Sequence, residues 1–348
     1  MKEENEANLD NQENLLENSN KINKKYIIIA VACILLVLLI ILIILIFTVF
    51  KKDNEENHDK KDIDDKTELD TITSEEFDKA RKSFKQYNYT DEDYPSKILS
   101  YNFFIPENLA KNEKYPLVMF ISDKSLVGKE ITAPLTETVG GPIWATDTVQ
   151  KKHKCFVLVP QYNEGVVDGT WHKSEYLYIT LNLISKLEEE YSIDPIRIYG
   201  TGQSMGAMAT LYLLANTDIL AAGLIADGHW TIDELKGLAN ATFTFCAAEG
   251  DPNPFNSQNE VKEYFNNNTI KYGTLDLINA RDKVEILNND AKKMYDLGYK
   301  QNFISYAKGS VLPPDSEGKG EHMASFKYTY RIEAVRDWIF EQKKEKTE

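Results

Sequence analysis

The sequence predicts an α/β fold, a doubly wound and mostly parallel sheet, preceded by a single N-terminal transmembrane helix. Three observations carry that prediction. Apolar runs of strand length alternate with helix-patterned segments from Lys97 to the C-terminus. One junction, Ile196 to Leu214, joins strand, tight turn and helix around a serine. Ahead of these lies Tyr26–Phe50, an uncharged run dominated by Ile, Leu and Val.

Taken in order, residues 1–25 form a polar tail rich in Asn and Glu with almost nothing to bury. At about 1.5 Å per residue, the run 26–50 reaches roughly 37 Å, enough to cross a hydrocarbon core of about 30 Å with some tilt. It is apolar on every face and has lysines at both ends (Lys21, Lys24, Lys25; Lys51, Lys52), which argues against a buried core helix. A cleaved signal peptide fits less well, because the apolar run is long, a polar leader precedes it and no small-residue cleavage site follows. Lysines flank both ends in similar number, so the positive-inside rule does not set the orientation. The expectation is a single-pass membrane protein with an extracytoplasmic C-terminal domain. Residues 51–73 are the stalk. Between 51 and 70 it holds 9 acidic and 5 basic residues, with Ile63 and Leu69 as its only aliphatics. Such a segment cannot bury enough apolar surface to offset its ordering entropy.

The domain is expected over residues 74–348. A helical pattern over Ser74–Tyr87 (Phe77, Ala80, Phe84) opens it. The strand runs are Ile98–Ile105, Pro116–Ile121, Cys155–Val159, Ile196–Tyr199, Ala222–Ala226, Thr242–Ala247 and Phe303–Ala307. Several are continuous rather than alternating, as strands buried on both faces read. Helical patterns fall at His172–Tyr191, Met205–Asn216, Gln258–Phe265, Ala291–Leu297 and Met323–Lys343. In such sheets ligands bind at the carboxyl ends of the strands. Of the cysteines, Cys33 lies in the apolar run, and Cys155 and Cys246 lie in strand runs, where a thiol serves as a small hydrophobe. Their spacing suits neither a disulfide framework nor a metal site, and the sequence implies no cofactor. A net charge of −15 excludes nucleic acid as an electrostatic partner.

The chemistry concentrates in Gly202-Gln203-Ser204-Met205-Gly206. A serine on a sharp strand-to-helix turn needs small neighbours on both sides, and the turn projects its hydroxyl beyond the sheet. It also aims the helix N-terminus at negative charge developing beside it. A serine nucleophile requires a base and an orienting carboxylate, which in this arrangement follow in the order acid, then histidine. Only His229 and His322 follow Ser204. His322 comes after the last strand and is the better placed base, with His229 as a rim or packing residue. For the acid, Asp251 closes the strand Thr242–Ala247, and Asp227 after the preceding strand is the alternative. A capping or turn aspartate is the plain structural reading of either one. His58, His153 and His172 read as solvated or structural.

These residues together resemble the α/β-hydrolase superfamily. More narrowly, they resemble the predicted peptidases and esterases related to prolyl oligopeptidases and feruloyl esterases. The resemblance runs from about Tyr94 to Gln342. It rests on Phe103-Phe104-Ile105-Pro106-Glu107-Asn108, Tyr115-Pro116-Leu117-Val118-Met119-Phe120, the run Phe156 to Tyr162, the run Asp194 to Tyr199, the serine turn and Trp338. It implies Ser204 as nucleophile, Asp251 as acid and His322 as base. Many such proteins carry His-Gly after the strand equivalent to Leu117–Ile121, in a loop that donates an oxyanion-hole N–H. Here the loop reads Ser122-Asp123-Lys124-Ser125. Backbone donors near Lys124 and at Met205 can still form the hole, provided the Asp123 carboxylate points away from it.

The sequence therefore anticipates a membrane-anchored serine hydrolase acting on an ester or peptide acyl bond. Its partners would be a small-molecule or peptide ester or amide and the lipid bilayer through residues 26–50. The alternative is a catalytically silent binding or scaffolding domain that keeps the fold on its anchor.

Overall fold

The computed structural model describes residues 71–313, 316 and 320–345. The polar tail, the apolar run Tyr26–Phe50 and the stalk up to residue 70 lie outside the described residues. Among the described residues, no helix is long and apolar enough to cross a membrane.

The frame is a nine-stranded sheet in the order β1-β2-β4-β3-β5-β6-β7-β9-β8. Its strands are β1 (Lys85–Thr90), β2 (Ile98–Phe104), β3 (Tyr115–Ile121), β4 (Phe156–Gln161), β5 (Ile193–Gln203), β6 (Ala222–Ala226), β7 (Phe243–Ala248), β8 (Gly273–Ile278) and β9 (Gln301–Tyr306). The strands from β4 to β8 in that order pair in parallel, whereas β1 and β2 run antiparallel at one edge. The continuous apolar runs are the strands buried on both faces. In β3, Val118 and Phe120 pack into one apolar layer while Leu117, Met119 and Ile121 pack into the other. Each side of the sheet therefore carries its own core, as helices on both faces require.

All seven expected strands form. Two more have no strand signal in the sequence. β1 replaces the end of the helix expected over Ser74–Tyr87, which stops at Ser83. Beyond it Phe84 is extended, and Tyr87 stacks on Tyr101 of β2 with ring centroids 5.4 Å apart. Helical spacing of Phe77, Ala80 and Phe84 hides an edge strand whose only packing face is Tyr87 and Tyr89. β8 is the opposite edge, too exposed to show an apolar run. The closing helix also differs from expectation. The segment forms two helices, His322–Arg331 and Glu333–Phe340, separated by an extended, buried Ile332. The break lets Phe326 and Tyr330 of the first helix and Val335 and Ile339 of the second enter the same apolar layer. Cys155 and Cys246 are free and fully buried, and burial pushes the pKa of both thiols up to about 12.

Candidate active site

Parallel pairing of β5, β6, β7 and β9 brings four chain segments to one edge of the sheet. Ser204 follows β5, Asp227 follows β6, Asp251 follows β7, and His322 opens the helix after β9. The serine turn is as sharp as its sequence implies. Ser204 sits at φ 51° and ψ −114°, a conformation that costs a non-glycine residue about 1–3 kcal/mol. The surroundings hold it there: Ser204 N donates to the Ala226 carbonyl at 3.0 Å, and Met208 N donates to the Ser204 carbonyl at 2.8 Å. Both flanking glycines are required by space. A Cβ on Gly206 would overlap the Ile121 carbonyl, and one on Gly202 would overlap the Gly206 backbone. The helix Met205–Asn216 can start against β3 only because no side chain intervenes.

The structure brings Ser204, His322 and Asp251 together. Ser204 Oγ lies 2.8 Å from His322 Nε2, and His322 Nδ1 is hydrogen-bonded to Asp251 Oδ2. Asp251 occupies the N-cap position of the helix Pro252–Asn267, yet its side chain makes no capping bond. The plain reading of Asp251 as a capping aspartate therefore fails, and its carboxylate is committed to the imidazole. Burial lowers the His322 pKa. The hydrogen bond and charge of Asp251, aided by Asp123, outweigh that and leave it above 6.5.

Asp227, the alternative acid, makes no direct bond to a histidine. Its side chain is fully buried, with Oδ1 accepting from Ala248 N at 2.9 Å. Burial raises its carboxyl to about 7 against the opposing pull of the Ala248 N–H. His229 stands at the rim with its ring 5.6 Å from that of Trp171, and burial lowers its pKa. His153 is structural: its Nε2 is 2.9 Å from Asp337 Oδ1, and it stacks on Phe340 at 4.4 Å. His172 is exposed, and His58 lies outside the described residues.

The loop after β3 leaves the sheet beside the serine turn, because Ile121 pairs with Gly202. Lys124 opens a short 3-10 turn there, and Met205 is the first residue of its helix. A first-turn N–H has no acceptor within its own helix, so Met205 can offer its N–H to a developing oxyanion. The Asp123 carboxylate is engaged elsewhere. Its Oδ1 accepts from Ser125 N at 2.9 Å and its Oδ2 from Gln203 Nε2 at 2.7 Å. The departure from the His-Gly pattern thus comes with its own partner in Gln203, a residue that sequence reasoning missed.

Glu321 was missed as well. Its buried carboxylate accepts from Gly250 N at 3.2 Å and from Gly309 N at 2.6 Å. Gly250 precedes Asp251 and Glu321 precedes His322, so one carboxylate clamps the loops that carry Asp251 and His322. An acidic residue beside a histidine in a glycine-rich loop carries no such signal in one dimension.

The sheet order, the strained serine turn and the position of each segment at the carboxyl edge define the α/β-hydrolase fold, and the superposition on one solved esterase agrees. A thermostable esterase superposes with a TM-score of 0.59 at 23% identity, over 76% of this chain and 64% of that one. The chain thus spans under two thirds of that esterase's length. A feruloyl esterase module from Clostridium thermocellum gives 0.42 at 13% identity, over 76% of this chain and 90% of that one. An acylaminoacyl peptidase from Pyrococcus horikoshii also gives 0.41 at 13%, over 76% of this chain and 43% of that one. No protein-family model matches the sequence, and no curated protein is similar to it.

Proposed function

We propose that this chain is a serine hydrolase that cleaves an ester or peptide acyl bond through an acyl-enzyme. The observation that carries the reading is the hydrogen-bonded run from Ser204 Oγ through the His322 imidazole to the Asp251 carboxylate. In the proposed reaction His322 Nε2 takes the Ser204 proton as Oγ attacks the acyl carbon. Asp251 holds the Nδ1–H tautomer and supports the imidazolium that forms. The N–H groups of Met205 and Lys124 receive the oxyanion, and His322 then returns the proton to the leaving group. Water attacks the acyl-enzyme by the same steps. Carboxylic esters are the favoured substrate class, in keeping with the thermostable esterase that shares the fold. The proposal includes a membrane anchor at residues 26–50 and an extracytoplasmic catalytic domain, both resting on sequence alone.

The test is covalent labelling of the full chain with a fluorophosphonate probe, compared with Ser204→Ala. The wild type should label and the variant should not. Equal labelling of both would remove Ser204 from the mechanism. No labelling of either would favour the catalytically silent scaffold.

A further inference from the structure

Behind the Ser204–His322–Asp251 run lies a carboxyl that this mechanism leaves unused. Asp227 is wholly excluded from solvent and adopts a left-handed backbone at φ 52°. Its Oδ1 accepts from Ala248 N, whereas Oδ2 is buried with no hydrogen-bond partner. The Ser325 hydroxyl lies within interaction range of this carboxyl, but it donates its only proton to the His322 carbonyl at 2.7 Å. Ser325 can therefore only accept from Asp227. A carboxylate, which has nothing to donate, would leave the buried Oδ2 without a partner.

We propose that Asp227 is a positioning residue that acts as a neutral carboxylic acid, with Oδ1 accepting from Ala248 N–H and Oδ2–H donating to Ser325 Oγ. The chain of donors then runs in one direction, from Asp227 through Ser325 to the His322 carbonyl, and every group in it is used. It ties the acid's strand to the base's helix. Ala248 ends β7 and its carbonyl accepts from Asp251 N at 2.9 Å, while Ser325 lies in the first turn of the helix that His322 opens. The surroundings favour the neutral form. The titratable groups that face Asp227 are Asp251 and His322 at the catalytic edge, Cys246 on β7 and Tyr306 on β9. Three of these are acids, and burial disfavours a charge. The rise of the Asp227 carboxyl to about 7 agrees in direction. This inference rests on His322 and Asp251 as base and acid.

The test uses infrared difference spectra of the full chain at pH 8, where His322 is neutral, wild type minus Asp227→Asn. The wild type should show a protonated-carboxyl stretch that Asp227→Asn lacks. Asparagine offers the same acceptor and donor without charge, so its kcat should stay within about threefold of wild type. Asp227→Leu and Ser325→Ala should each lower kcat about tenfold or more with little change in KM, because ground-state binding is untouched. If Asp227→Leu fails to fold, Ser325→Ala and the infrared band still decide. Absence of the band, or an Asp227→Asn loss as deep as that of Ser325→Ala, would overturn the proposal. The band does not depend on turnover, so it is readable even if fluorophosphonate labelling fails.

Discussion

Replacing Asp251 by asparagine separates catalysis from folding at this site. The structure predicts little change in stability. Asp251 N still donates to the Ala248 carbonyl, the Asp251 carbonyl still accepts from Phe255 N, and no helix-capping bond is lost. The carboxylate–imidazole pair is part-exposed, 12% for Asp251 and 37% for His322, so losing its charge should cost no more than about 1 kcal/mol. Turnover should respond very differently. The asparagine amide turns an N–H toward Nδ1, so the imidazole proton moves to Nε2, the atom that must accept from Ser204. Loss of the correct tautomer lowers kcat about 10⁴-fold, or roughly 5.4 kcal/mol of barrier.

The pH dependence has a definite sign. His322 must be neutral to accept a proton, so activity rises with pH through its pKa, which lies above 6.5 in the wild type. Without the Asp251 charge the downward pull of burial prevails, and the acidic limb of the residual activity moves to lower pH. A folded-state histidine pKa above the unfolded value stabilises the protein below about 6.5, and that contribution is lost as pH rises through the folded pKa. The difference in Tm between the two proteins should therefore be largest in mild acid and shrink toward alkaline pH. Hydrolysis of p-nitrophenyl acetate across pH 5–9, alongside thermal melts, measures both effects. A kcat within tenfold of wild type would remove Asp251 from the mechanism. A collapse in Tm would show that its role is structural.

Two further substitutions probe the frame. Gly206→Ala should destabilise the domain by about 1–3 kcal/mol and abolish fluorophosphonate labelling, because its Cβ would overlap the Ile121 carbonyl. Denaturant unfolding measures the first and gel-based labelling the second. Glu321→Ala strips the acceptor from Gly250 N and Gly309 N, both partly open to water, at about 1 kcal/mol for each hydrogen bond lost. Loosening both triad-bearing loops should lower kcat at least tenfold, and an unchanged kcat would deny the clamp.

Much of the architecture was legible because it rests on short-range patterns. Continuous apolar runs such as Leu117 to Ile121 announce strands buried on both faces. The Gly-x-Ser-x-Gly turn is readable because its glycines answer a purely local crowding. The edge strands β1 and β8 were not legible, since an edge strand draws its hydrogen bonds from one neighbour and needs no apolar run of its own. The closing helix broke at Ile332 because the sheet beneath it, and not the local pattern, decides where apolar faces must point.

The sequence by itself determined the candidate nucleophile and the order of its partners, because strand order in a doubly wound sheet constrains which loops can reach the serine. The sequence preferred Asp251 to Asp227 by strand position, and tertiary structure shows which of the two meets the imidazole. Asp251 and Asp227 both follow a buried strand, and composition cannot tell them apart. In the folded chain Asp251 reaches the His322 ring, while Asp227 is turned inward beneath it to Ala248. The same holds for the Gln203–Asp123 and Glu321 contacts. Their partners lie 80 and 71 residues away in the chain, and only folding brings such groups within hydrogen-bonding distance.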